Sequence, residues 1–216
     1  MNYIKLKTYQ REHREGFHQN LALRTHRALS WLDRAEKAED QDSKFIYFWI
    51  SFNACYAVEI DQHYREAEKS QFTQFFSKIC TLDEENIIYD CLWTQFSSKV
   101  RALLDNQFVY QPFWDFHNGK IEEATWQESF RAAKAKAGIS LANQDTVTVL
   151  SIIFNRLYTL RNQLMHGGAT WNSGANRAQV KDGVCMLETL VPIIIDIMMR
   201  HPDTLWGDPY YPVVGV

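Results

Sequence analysis

The chain has 216 residues, 46% of them hydrophobic and 14% aromatic, with a formal net charge of −3. Its length is enough for one large core, and its charge excludes a global basic field for nucleic acid, so any RNA contact must be local. A Gly-rich phosphate loop, a Cys-x-x-Cys pair, a Gly-x-Ser-x-Gly elbow and a His-Glu-x-x-His helix are all missing, which counts against P-loop hydrolases, zinc enzymes and serine hydrolases.

Taken in order, Phe17, Leu21, Ala28, Leu32 and Ala35 recur at helical spacing and predict one amphipathic helix from about 9 to 38. His13, His18 and His26 on it read as solvated, without the spacing of metal ligands. The linker Glu39-Asp40-Gln41-Asp42-Ser43 supplies a break and a cap. A second helix, from 44 to about 64, carries Phe45, Trp49, Phe52, Tyr56 and Ile60 on its stripe, with Asn53 against the stripe and Glu59 at its edge. A buried amide needs a bonding partner, so Asn53 either ties two helices together or faces a site.

Residues 65–140 read as a helical insertion. It comprises a short helix around Phe72, Phe75, Phe76 and Ile79, a longer one from 87 to 104, an irregular aromatic stretch from 108 to 116, and a helix from 121 to 137 that stops at Gly138. Arg131, Lys134 and Lys136 on the last of these form either a phosphate contact or, as the commoner outcome, a solvated face that suits the helix dipole.

The next helix begins at the cap Asp145 and ends at Gly167-Gly168. Val147, Leu150, Phe154, Leu157 and Leu164 make its apolar stripe, and Arg161 falls in the middle of that stripe. A guanidinium there must meet a carboxylate, carbonyls, an anion or a wet gap. Asn155, Thr159, Asn162 and His166 form the opposite, polar face. At about 100° per residue, Arg161 and His166 point roughly 140° apart. Either the helix unwinds before the Gly pair, or two copies of the segment share one site. Trp171, in the next turn, either stacks on a base or covers the bundle end.

A last helix, from 178 to 200, has Val180, Val184, Leu187, Val191, Ile194 and Met198 in register and Pro192 as an expected kink. The apolar run from 184 to 199 contains Glu188 and Asp196 and is too short to span a bilayer. The tail 201–216 is irregular yet apolar enough to pack on the bundle or on a neighbour. The opening residues Met1 to Lys7 are too polar for an export signal, and Cys55, Cys80, Cys91 and Cys185 read as reduced thiols. Together these features place the chain in the cytoplasm with no membrane contact, no metal and no cofactor.

Arg161-Asn162, three residues, then His166-Gly167 at the close of a helix in an all-α chain resembles the signature of the HEPN superfamily. Phe48 to Tyr56 is similar to the aromatic second helix of its prokaryotic, Apea-like members. The resemblance implies a single domain over 1–216, built as an up-and-down helical bundle with a helical insertion between its second and third core helices. It also implies a metal-independent endoribonuclease that leaves 2′,3′-cyclic phosphate ends, acting as a homodimer with a composite site. Arg161 would then bind the phosphate, His166 would transfer the proton, Asn162 would position either, and Asn53 and Glu59 would support them. The expected partners are RNA, a second copy, and an antitoxin or regulatory protein, as in toxin–antitoxin and phage-defence systems. The alternative is a non-catalytic HEPN-like module that binds RNA, a nucleotide or a protein. The third is an interaction subunit in which Arg161 is an ion-pair partner for Glu59.

Overall fold

In a computed structural model the chain is all-α: ten helices pack together, and no strand occurs among the described residues. The described residues are 1–56, 65–174, 176–209 and 211, with side chains from 72 onward in the second stretch.

The expected first helix is two. α1 (Tyr3–His13) is capped by the Asn2 side chain, which accepts from the Lys5 amide, and a 3-10 turn over Arg14–Gly16 separates it from α2 (Gln19–Glu36). The Tyr3 amide donates to the Glu36 carboxylate, so α1 folds back along α2. α3 (Gln41–Tyr56) runs antiparallel to α2. Arg24 reaches the carbonyls of Ala54 and Cys55, Ser51 donates to the Ala28 carbonyl at 2.7 Å, and Trp31 meets Tyr47 one level further along.

α4 (Arg65–Leu82) is longer than expected and contributes to the main core. Phe72, Phe76 and Ile79 are fully buried, and the rings of Phe72 and Phe76 meet Phe52 of α3. The segment 65–140 is therefore not uniform, because its first helix is core. The elements after α4 are mostly shorter: α5 (Ile87–Asp90), a π turn over Cys91–Gln95, α6 (Ser97–Asp105), a 3-10 turn over Gln107–Val109 and α7 (Gln111–His117), before the long α8 (Glu123–Ala142). Phe113, Trp126, Tyr110 and Phe130 form a satellite aromatic cluster here. α8 runs straight through Gly138, where an added Cβ would meet nothing within 4 Å. An interior Gly costs a helix only about 1 kcal/mol, which the flanking alanines offset.

α9 (Thr146–Met165) is the central rod, with Phe154 against Trp49, Phe52, Phe72 and Phe76. α10 (Arg177–Arg200) lies beside α3 and passes through Pro192 as a continuous helix. It approaches closely at Gly183, where a Cβ would sit 2.7 Å from the Phe45 ring and 3.1 Å from Leu157. The tail returns along the bundle. Trp206 is buried, and the carbonyls of Leu205, Gly207, Asp208 and Tyr211 accept from Lys78, Arg24 and Arg27. No described helix is long and apolar enough to cross a membrane.

Candidate functional site

The motif sits where α9 outlasts its own core. Leu160 is the last fully buried residue of the helix, whereas Arg161, Asn162, Gln163 and Leu164 are half-buried and Met165 and His166 exposed. Arg161 does continue the apolar stripe, as expected, but the bundle tapers before the stripe ends. Its guanidinium is therefore half-solvated rather than sunk in apolar packing. Nη1 donates to the Asn162 side-chain oxygen at 2.9 Å, and no carboxylate pairs with Arg161 among the described residues. Glu59, the expected counter-charge, lies outside the described residues.

The helix stays regular to its end. The Asp145 carboxylate accepts from the Thr148 amide at the start. At the other end the His166 amide still bonds the Asn162 carbonyl at 3.0 Å, and His166 is the C-cap. Gly167 takes φ +70°, a left-handed conformation that glycine adopts without Cβ strain. The Gly168 amide reaches the Gln163 carbonyl at 2.7 Å and the Gly167 amide reaches Leu164, closing a Schellman turn. The unwinding that would swing His166 towards Arg161 does not occur, so the angular separation between them stands.

Two neighbours hold this turn. The Gln163 amide nitrogen donates to the Phe108 carbonyl at 2.6 Å, and the Gln163 side-chain oxygen accepts from Asn176. The segment after α6 thus abuts the motif. The loop before α10 is held by the start of α3, where Asp42 takes a two-pronged bond from Arg177 (3.0 and 3.1 Å) and accepts from the Asn172 amide at 2.7 Å. Asp40 caps α3 through the Ser43 amide and accepts from the Trp171 indole at 3.4 Å. Burial alone would raise the Asp40 carboxyl, but donation from Ser43 and Trp171 brings it below the usual carboxylate range. Trp171 is 74% exposed, Met165 51% and Phe108 43%, so three apolar side chains on the segments that meet at the motif turn are left open to solvent.

Asn53 lies elsewhere. It lines a groove of about 390 Å³ with Arg24, Arg27, Trp31, Ile50, Ala54, Pro209 and Tyr211, and that groove includes neither Arg161 nor His166. Its side-chain oxygen is buried without a hydrogen-bond partner among the described residues. The structure therefore brings together Arg161, Asn162, His166 and the Trp171 loop, but does not bring Asn53 to them.

Sequence reasoning missed Gln163, whose role depends on distant carbonyl and amide partners that no local pattern announces. It also missed Arg156. The supposedly polar face of α9 is covered in part: Thr159 is buried on it, and Arg156 beside it is buried against Tyr110 and Phe130. The Arg156 guanidinium lies 4.2 Å from the Tyr110 ring centre and 5.6 Å from that of Phe130, with Nε and Nη1 unbonded. Burial pushes it down to about 10, so it is still cationic at neutral pH.

No group of three or more His, Cys, Asp or Glu side chains suited to a metal occurs among the described residues. The cysteines are free thiols, and burial pushes Cys55 and Cys80 up to about 12, which removes both as nucleophiles. No family model, curated protein or solved structure matches this chain.

Proposed function

We propose that the chain is a metal-independent endoribonuclease of the HEPN type, working as a dimer in which Arg161 of one copy and His166 of the other face the same phosphate. The observation that carries this reading is the pairing of an unbent helix end with a guanidinium that has no acidic partner among the described residues. Cleavage by the ribose 2′-hydroxyl needs a base, an acid and positive charge on the phosphate oxygens. Histidine exchanges protons near neutrality, and arginine forks onto two oxygens without losing its charge. The Asn162 oxygen restrains the guanidinium of Arg161, which fits a positioning role. One chain aims the two groups apart, and a two-fold axis beside the motif would bring complementary groups together. The exposed Phe108, Met165 and Trp171 offer apolar surface for that contact or for a flipped-out base.

The test is RNA cleavage in EDTA by wild type, Arg161→Ala, His166→Ala and an equal mixture of the two variants. Each variant alone should be inactive. In the mixture, random exchange gives heterodimers with one complete site each, so about a quarter of wild-type activity should return. Inactive singles without recovery would place both groups in one chain's own site. Absence of cleavage by the wild type, with RNA binding lost on Arg161→Ala, would leave a non-catalytic binding module.

A further inference from the structure

At the other end of the bundle, α1 and α2 enclose an open cleft of about 530 Å³, within the size range of small-ligand sites. Its lining carries Lys7, Arg11, Arg14 and His26, with Gln10 and Gln19, and its only apolar side chains are Ala22 and Leu23. No acidic side chain lines it, and none of the three permanent cations pairs with a carboxylate among the described residues.

Lys7 is also held in place. Gln10 is buried, donates to the Thr25 hydroxyl, and accepts from the Lys7 ammonium at 2.6 Å, so Lys7 is pinned at the cleft wall. Burial, and after it the charges of Arg11 and Arg14, lower the Lys7 pKa, so the three cations lie near one another.

We propose that this cleft binds the di- or triphosphate group of a nucleotide, with Lys7, Arg11 and Arg14 on the phosphate oxygens and Ala22 and Leu23 against the nucleoside. Three cations in one concavity match a compact polyanion better than a single phosphate. A long RNA backbone fits less well, because the exposed Glu12 and Glu15 interleave with the cations along the chain. The site is remote from the motif. α10 starts beside Asp42 near the motif loop and ends with Arg200 over Tyr9 of α1, and its 24 residues span about 36 Å.

Calorimetric titration of the full chain with ATP, inorganic tripolyphosphate, adenosine and a single-stranded RNA oligomer tests the proposal. Tripolyphosphate and ATP should bind saturably and compete, weakening as salt rises, while adenosine alone should not bind. The double variant Arg11→Gln/Arg14→Gln should weaken ATP binding at least tenfold without lowering the thermal midpoint, since both side chains are exposed and their removal relieves repulsion. Arg161→Ala should bind ATP as the wild type does, which keeps this outcome separate from the nuclease reading. Lack of saturable binding at low salt, ATP binding unchanged in the double variant, or an RNA oligomer that occupies the cleft in preference to tripolyphosphate would each overturn it.

Discussion

Arg24 and Arg156 are both buried guanidiniums, 1% and 4% exposed, and the protein treats them in opposite ways. Arg24 donates to four backbone carbonyls, those of Ala54, Cys55, Gly207 and Asp208, and so ties α2 to the end of α3 and to the returning tail. Burial lowers its pKa, but the charge is met by oxygens in fixed positions. Arg156 has rings where Arg24 has carbonyls, and two of its nitrogens go unbonded. A ring face attracts a cation but does not satisfy an N–H, so Arg156 retains part of its desolvation cost. The main bundle is built with its buried charge fully bonded, whereas the satellite cluster closes over one that is not.

The sharpest way to break this contrast is Arg24→Met. It strands four carbonyls and frees the tail, and the expected loss is about 3 kcal/mol in urea unfolding, with faster proteolysis after residue 200. Asp42→Asn, which disrupts the Arg177 fork and weakens acceptance from Asn172, should cost about 2 kcal/mol. This is less than for a fully buried pair, because the Arg177 side chain is 29% exposed. A lowered thermal midpoint would register it.

Arg156→Met should instead stabilise the fold by about 1 kcal/mol, since the unmet N–H cost exceeds the lost ring attraction. The depressed pKa sets the sign of the pH dependence. The unfolded chain keeps the Arg156 proton up to the ordinary, much higher guanidinium range, while the folded chain releases it near 10. The penalty on folding is full below pH 10 and fades as pH rises through that window. The urea midpoints of wild type and Arg156→Met should therefore converge above pH 10. A destabilised Arg156→Met would show that the attraction of Arg156 to the Tyr110 and Phe130 rings outweighs its unmet N–H cost. Smallest of all, His166→Ala should change stability by less than about 0.5 kcal/mol, because the imidazole is exposed and its amide bond survives the substitution.

The α9 boundaries were legible because their signals are local. An Asp caps the free amides three residues on, and a Gly accepts the left-handed turn, whatever the rest of the chain does. The break between α1 and α2 was not read from the sequence although Gly16 sits in it, because a lone glycine is compatible with either a turn or a continuing helix. Gly138 misled in the opposite direction, because a glycine ends a helix only where tertiary contacts want a turn. The burial of Phe72, Phe76 and Ile79, with the Phe76 ring against Phe52 of α3 and Phe154 of α9, was not legible, because an isolated apolar stripe does not reveal what covers it.

Local signals in the chain were enough to establish an all-α protein, the start and stop of its motif helix, and the divergence of Arg161 from His166, since helix period and caps are properties of neighbouring residues. Packing alone settled which sides of α9 are covered, that Arg161 is half-solvated while Arg156 is entombed, and that Lys7, Arg11, Arg14 and His26 share one cleft. Burial and charge proximity depend on residues far apart in the chain, and no local pattern encodes them.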